Sequence, residues 1–466
     1  MAWQMKRTLG DIKTVLVANR GEIALRIART CRALGLRVVA VYSEADADSP
    51  HVAYADEAVS LGGRRAQDSY LCIEKIIGAA RASGADAIAP GYGFLAESPE
   101  LARATANAGL VFIGPSPQAM EAMGAKDRAK TCALEAGVAC IPGYQGAYSD
   151  WQAVAREIGL PVMLKAVHGG GGRGMRLVHR EADLALAVAA AEREATASFG
   201  RAELLMEKAL MGARHIEVQV FGDNHGNVVH LGERDCSVQR RYQKIIEECP
   251  SPFLTDSLRE AIAGAAVKVS RAVGYAGAGT VEFLVASSGE FFFLEMNTRL
   301  QVEHGVTEAV YGVDLVEWQI RVARGEPLPL SQSVINARRH GWAIEARLCA
   351  EDPARGFLPQ SGKVTTWTPP TGEGIRVDHC LNDELTITPF YDSLLAKIIG
   401  VSDTREKALA ALSDALASLR LEGVKHNGEF LHRVLAAPDF ARGDYTTSLL
   451  DELQHKETGD EKLRIA

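Results

Sequence analysis

The sequence predicts an α/β protein, α+β overall, that opens on a parallel sheet covered by helices. From Lys13 onward, short β-rich runs alternate with helical segments, which is the pattern of strands joined by crossover helices. Further on, two apolar runs flank a short turn, and the last third becomes strand-rich before a leucine-striped helix. With 466 residues the chain outgrows a single compact core, so roughly two to four domains are expected.

The first region gives a strand over Thr14 to Ala18, a helix over Glu22 to Leu34, a strand over Arg37 to Tyr42 and a helix near Ile73 to Ser83. The turn Asn19-Arg20-Gly21-Glu22 has one glycine in place of the spaced glycines of a dinucleotide fingerprint, so a Rossmann-like shape without NAD is expected. Gly114-Pro115-Ser116-Pro117 punctuates the chain and ends the first domain, 1–117. Concentrated polar chemistry fills the second, 118–324. The third, 340–451, is strand and turn rich to Ile399. It then forms a helix with Leu409, Leu412, Leu416 and Leu419 on one stripe, opened by an Asp403/Glu406 capping box. Residues 452–466 are charged and lack an apolar stripe, which predicts a tail or the start of a linker.

A net charge of -8 repels phosphate backbones and argues against nucleic acid as a partner. The apolar runs are strand-sized, far below the roughly 18 residues that span a bilayer, so no membrane partner is expected. Met1 to Lys13 lacks the apolar core of a secretory signal. A cytoplasmic protein is expected, or one of the mitochondrial matrix if a transit peptide has been removed. The eight cysteines lack the paired spacing of a zinc site or disulfide scaffold, so reduced structural thiols are expected, Cys236 among them.

Four constellations carry chemistry. A strand from Pro161 to Ala166 delivers Lys165 into Gly169 to Gly172, Arg173 and Gly174, where glycines let backbone N–H groups approach a phosphate. A flexible surface turn is the bland alternative, and ordering four glycines would be wasteful for one. Next, Thr280 to Val285 and Phe291 to Met296 form an apolar hairpin. A two-residue turn at Ser288-Gly289 sets Glu282 opposite Glu295, with Asn297, Leu284 and Phe293 on the same face. Facing carboxylates repel and need a cation, and the added oxygen ligand suits magnesium with nucleotide phosphates. Third, Asn297 to His304 sets Arg299 and Glu303 beside that site, able to hold a small anion and take its proton, or merely to pair with each other. Fourth, Glu233 to Lys244 holds four basic residues in an acidic protein and reads as a local anion-binding strip, or as a solvated loop.

Together these segments resemble the biotin carboxylase family of the ATP-grasp superfamily, from Val15-Leu16-Val17-Ala18-Asn19-Arg20-Gly21-Glu22-Ile23 to about Asp451. The most specific pieces are Gly91-Tyr92-Gly93-Phe94-Leu95, the Gly169 to Met175 loop, Glu233 to Lys244 and Glu295 to Glu308. The resemblance implies a Rossmann-like N-terminal domain, a central ATP-grasp domain with a mobile lid near 145–207, and a mixed α/β C-terminal domain. It implies that Lys126, Lys165, Gly171, Gly172 and His215 contact ATP, with Tyr242 a further nucleotide contact. Glu207, Lys208 and Leu210 would line the adenine pocket. Glu282, Glu295 and Asn297 would bind magnesium or manganese. Lys244, Arg299 and Val302 would hold bicarbonate, Glu303 would be the base, and Arg347 would stabilise the biotin enolate.

The implied activity is ATP-dependent carboxylation of biotin by bicarbonate, through carboxyphosphate. Biotin is then a carrier-borne substrate: no Ala-Met-Lys-Met acceptor occurs in the chain. The implied partners are a biotin carboxyl carrier protein or domain and a carboxyltransferase subunit, in a homodimer or a larger complex. Asp314 to Gln319 resembles methylcrotonyl- or geranyl-CoA carboxylases more than the acetyl-CoA type. Tyr242 stands where many members have His, Gly305 where they have Pro, and His168 where they have another residue. Two other classes share parts of the pattern: an ATP-grasp ligase acting on a different carboxylate, and a non-enzymatic nucleotide-binding subunit.

Overall fold

The structure is a computed structural model that describes residues 12–144, 150–167 and 175–458. Gly171, Gly172 and His168 therefore lie outside the described residues, as does the glycine-rich loop around them.

The N-terminal sheet is parallel throughout. Its strands are β1 (Thr14–Val17), β2 (Arg37–Tyr42), β3 (Glu57–Ser60), β4 (Ala87–Ala89) and β5 (Val111–Phe112), in the order β3, β2, β1, β4, β5. All four residues of β1 are buried, as a central parallel strand covered on both faces requires. Gly21, at φ +67°, lets the chain pass from β1 straight into helix α1 (Gly21–Ala33).

A second, four-stranded sheet spans the stretch expected to form a lid: β6 (Gly143–Tyr144), β7 (Val162–Ala166), β8 (Arg176–Val178) and β9 (Leu204–Lys208), ordered β6, β9, β7, β8. Helix α2 (Lys126–Glu135) lies N-terminal to it in the chain.

The largest sheet has eight strands. Five come from the middle of the chain: β10 (Arg214–Gly222), β11 (Val228–Arg240), β12 (Gln243–Cys249), β13 (Gly277–Val285) and β14 (Phe291–Asn297). Three come from the C-terminal third: β15 (Trp342–Cys349), β16 (Ile375–His379) and β17 (Leu394–Ser402). The order is β14, β13, β10, β11, β12, β15, β17, β16. Apolar side chains of β10, β13 and β14, including Ile216, Val218, Phe283 and Phe293, pack under helix α3 (Asp256–Ala272). Polar side chains of the same strands take the other face.

The β13–β14 hairpin corrects the expected turn and keeps the expected pair. Ala286 and Glu290 close a three-residue loop, with Gly289 at φ +87°, in place of the two-residue turn. That shifts the register by one, so Phe283 faces Phe293. A bulge at Leu294 then restores it, and Glu282 faces Glu295. The two offsets cancel. Phe293, upstream of the bulge, joins Phe283 in the core and does not share the carboxylate face.

Three further expectations change near the C-terminus. Helix α4 (His304–Tyr311) precedes that region, and helix α5 (Arg405–Ala417) carries Leu409, Leu412 and Leu416 of the expected stripe, the last two buried, while Leu419 lies beyond its end. The cap of α5 is Thr404, whose hydroxyl accepts from the Lys407 N–H, so Asp403 stands outside the helix. Residues 452–458 belong to a helix, Leu449–Thr458, whose buried Leu449 and Leu450 join the C-terminal core. No helix among the described residues is long and apolar enough to cross a membrane.

Candidate active site

Strand β10 alternates His215, Glu217 and Gln219 with Ile216, Val218 and Val220, so its polar residues share one face. The register sets Glu217 opposite Glu282 on β13 and opposite Arg234 on β11, while Glu282 faces Glu295 on β14. Three carboxylates therefore stand side by side across the sheet and end at a guanidinium. Such a row is tolerable only with matched cations.

Lys244, on β12, supplies the central one. Its ammonium donates to Glu282 at 2.7 Å and Glu303 at 2.8 Å, and also to Glu217. Arg234, fully buried, donates to Glu217 at 2.5 Å and braces Gln219, Thr307 and Thr280. Lys126 pairs with Glu295. Burial opposes the charge on Lys244, but its three carboxylates outweigh it and raise its pKa well above the usual value. Burial likewise opposes ionisation of Glu282, and Lys244 and His215 overcome it, holding the carboxyl well below the usual range. Gln239 donates to Nδ1 of His215 at 2.6 Å, which leaves Nε2–H to donate to Glu282 at 2.8 Å. Asn297 and Gln301 donate to the other oxygen of Glu282.

Glu303, at the N-cap of α4, is fully buried and held at both oxygens, by Lys244 on one and by Arg347 at 2.8 Å on the other. Burial opposes its charge, yet Lys244, Arg347 and Arg234 hold its pKa well below the usual range. Arg347 also donates to Glu247 at 2.6 Å. Arg299 does not pair with Glu303. It reaches Glu97 at 2.8 Å, Gln301 at 2.9 Å and Asn297 at 3.1 Å.

The small sheet is built differently. Lys165 and Lys130 share the buried carboxylate of Glu207, which they hold below its usual range against the effect of burial. Lys208 spends its ammonium on the carbonyls of Gly159 and Leu160, both at 2.8 Å. Leu210 is half-buried.

The basic strip is not one surface. Arg234 is buried in the sheet, Arg240 stacks 4.3 Å from the Phe357 ring, and Lys244 enters the carboxylate row. Arg241 and Tyr242 form the hairpin tip, at φ +49° and +65°, and among the described residues the Tyr242 hydroxyl reaches the Met163 sulfur, at 3.9 Å. Burial pushes the Cys236 thiol well above its ordinary pKa, as suits a structural cysteine.

Glu217, Gln239, Glu97 and Lys130 escaped the sequence reading. The period-two polar alternation of β10 was a signal for Glu217. Nothing in local spacing marks Glu97, which arrives 202 residues before its partner Arg299.

Three family models match in succession: Biotin carboxylase, N-terminal domain over residues 11–120, Carbamoyl-phosphate synthase L chain, ATP binding domain over 125–331, and Biotin carboxylase C-terminal domain over 345–452. The chain belongs to the biotin carboxylase family. It is 49% identical over 450 residues to a biotin carboxylase of Halalkalibacterium halodurans, covering 96% of this chain and 99% of that protein. It is 48% identical to the methylcrotonoyl-CoA carboxylase subunit alpha of Dictyostelium discoideum, and there it spans 63% of the relative's length. Among solved structures, a biotin carboxylase from Campylobacter jejuni in complex with β,γ-ATP superposes with a TM-score of 0.92 at 46% identity, covering 95% of this chain and 99% of that one. The biotin carboxylase domain dimer of the 2-oxoglutarate carboxylase of Hydrogenobacter thermophilus, with MgADP, ADP and bicarbonate, superposes equally well at 46% identity, covering 95% and 98%.

Proposed function

We propose that the chain makes carboxybiotin from biotin, bicarbonate and ATP, and that the site residues act as follows. The observation that carries this reading is Glu303, buried between Lys244 and Arg347, with Lys244 also serving the adjoining carboxylate row. Lys126, Lys165, His215, Gly171 and Gly172 contact the nucleotide, with Glu207, Lys208 and Leu210 lining the adenine pocket. Glu282, Glu295 and Asn297 form an oxygen-rich donor set, in which Lys126 and Lys244 now fill the place of a cation. That set fits magnesium or manganese, which when bound neutralises phosphate charge.

Lys244, Arg299 and Val302 hold bicarbonate. A carboxylate clamped by two cations is a weak base, so Glu303 gains basicity as bicarbonate draws Lys244 away. Glu303 then takes the bicarbonate proton, the bicarbonate oxygen bonds to the terminal phosphorus, and the bond from that phosphorus to ADP breaks. Carboxyphosphate breaks into carbon dioxide and phosphate. Phosphate accepts the ureido proton of biotin, Arg347 holds the enolate oxygen, and the nitrogen bonds to carbon dioxide. Closure of the lid keeps water from the labile intermediate.

The division into an N-terminal domain, an ATP-grasp domain with its lid and a C-terminal domain is part of this reading, supported by the ranges of the three family models. So are a carrier for biotin, a carboxyltransferase that passes the carboxyl group to an acyl-CoA, a homodimer, and a cytoplasmic setting. Relatives named as alpha subunits support the complex. The test is ADP release with free biotin. Release that needs both bicarbonate and biotin is expected. Release without either dependence marks a different ATP-grasp ligase, and ATP binding without release marks a nucleotide-binding subunit.

A further inference from the structure

Lys397 lies on β17, directly opposite Arg347 on β15 and Asp378 on β16, and it is fully buried. A buried ammonium is costly unless it is well partnered. Its neighbouring carboxylates stand back: Glu22 at 3.5 Å and Asp378 at 3.6 Å. Each has another partner, since Tyr92 donates to Glu22 and Arg376 grips Asp378 at 2.8 Å. The short hydrogen bond of Lys397 goes instead to the backbone carbonyl of Val302, at 2.8 Å.

That carbonyl belongs to the loop between Arg299 and Glu303, and its neighbours are pinned as well. The Leu300 carbonyl accepts from Arg299, and the Gln301 carbonyl accepts from the His304 ring at 2.8 Å. Those two clamps are local in sequence. Lys397 reaches in from 95 residues away. The Val302 carbonyl shares its planar peptide with the Glu303 N–H, so fixing one fixes the other and sets the backbone from which the Glu303 side chain departs.

We infer that Lys397 is a positioning residue that holds the Val302–Glu303 peptide in the orientation bicarbonate needs. This rests on the carboxylase reading above. Lys397 touches no reacting atom; it acts through the loop. Burial opposes its charge, and Glu22, Glu345 and Asp378 outweigh that effect and raise its pKa above the usual value.

Bicarbonate-dependent ADP release by the full chain with free biotin tests this. Lys397→Met is expected to raise KM for bicarbonate about tenfold or more, the scale of a lost hydrogen bond from a charged donor, and to leave KM for ATP within about twofold. Glu22→Gln keeps the Val302 bond and is expected to leave KM for bicarbonate within about twofold. If Lys397→Met melts below assay temperature, Lys397→Met/Glu22→Gln takes its place: it removes the ammonium with the Glu22 charge and leaves Asp378 to Arg376. Unchanged bicarbonate KM in a folded variant overturns the assignment. So does an equal rise in Glu22→Gln, or a double variant that is also unfolded, either of which makes Lys397 a charge compensator. A wild-type chain with no bicarbonate dependence would instead refute the carboxylase reading itself.

Discussion

On the small sheet, Lys130 and Lys165 share the single carboxylate of Glu207. On the large sheet, Glu217, Glu282, Glu295 and Glu303 each have a cation, in Arg234, Lys244, Lys126 and Arg347, the last shared with Glu247. The first arrangement has a surplus cation and can receive an anion without giving anything up. The second is balanced, and Lys126 or Lys244 can turn to an anion only by leaving its carboxylate. On the proposed reading, one side of the site receives phosphate directly, while the other receives its anion by exchange.

The largest expected effect separates Lys244 from Lys165. Lys244→Met strips three carboxylates of their common ammonium, so stability should fall on the order of 3–5 kcal/mol. Bicarbonate-dependent turnover should fall at least about a hundredfold. Lys165→Met leaves Lys130 on Glu207, so ATP affinity by calorimetry should fall about tenfold with little change in melting temperature. Equal melting losses in both variants would break the contrast.

Glu295→Gln sharpens it. Facing carboxylates alone predict that removing one stabilises the ligand-free protein. With Lys126 left unpaired the sign reverses, and scanning calorimetry should show a melting temperature lower by a few degrees, a loss on the order of 1 kcal/mol. A rise would mean that repulsion from Glu282 outweighs the Lys126 pair.

Glu247 tests the balanced side by pH. Burial pushes its carboxyl up to about 7 despite the Arg347 guanidinium. The fold thus binds this proton more tightly than the unfolded chain does, so the group stabilises the fold at low pH, and that contribution is lost as pH rises through about 7. Glu247→Gln stays neutral. Its unfolding free energy in urea should gain on the wild type between about pH 5 and about pH 8, and a constant difference would place the Glu247 pKa in the ordinary range.

Tyr242→Phe should matter least. A hydroxyl whose contact is a sulfur at 3.9 Å is worth under about 1 kcal/mol, or less than about fivefold in turnover. A loss beyond about a hundredfold would make the phenol a chemical participant.

The parallel N-terminal sheet was legible because β-rich runs alternating with helical segments, and the turn residues between them, are local signals. The facing of Glu282 and Glu295 was legible for a weaker reason, since the longer loop and the Leu294 bulge offset one another. Periodicity cannot reveal a bulge. The charge clusters were legible as residue types and not as pairs. Arg299 and Glu303 are neighbours in sequence, yet each chose a distant partner, Glu97 for one and Lys244 with Arg347 for the other. Lys244 and Arg347 come together because β12 pairs with β15, and Glu97 arrives from a loop after β4; spacing encodes neither long-range approach. Lys397 shows the same limit: it reads as an ordinary strand lysine until β17 is placed beside β15.

The pairing of β12 with β15, Ile246 against Ala346 and Glu247 against Glu345, makes one sheet out of the middle and the end of the chain. A fragment that stopped before Gly341 would leave β12 as a raw edge, its backbone donors and acceptors open along a strand that carries Ile246 and Cys249. Such an edge recruits whatever strand it meets, most readily the same edge of another copy. The C-terminal third therefore guards the catalytic sheet against self-association as well as contributing Arg347 and Lys397, and the two parts cannot be expressed separately without exposing what each was covering.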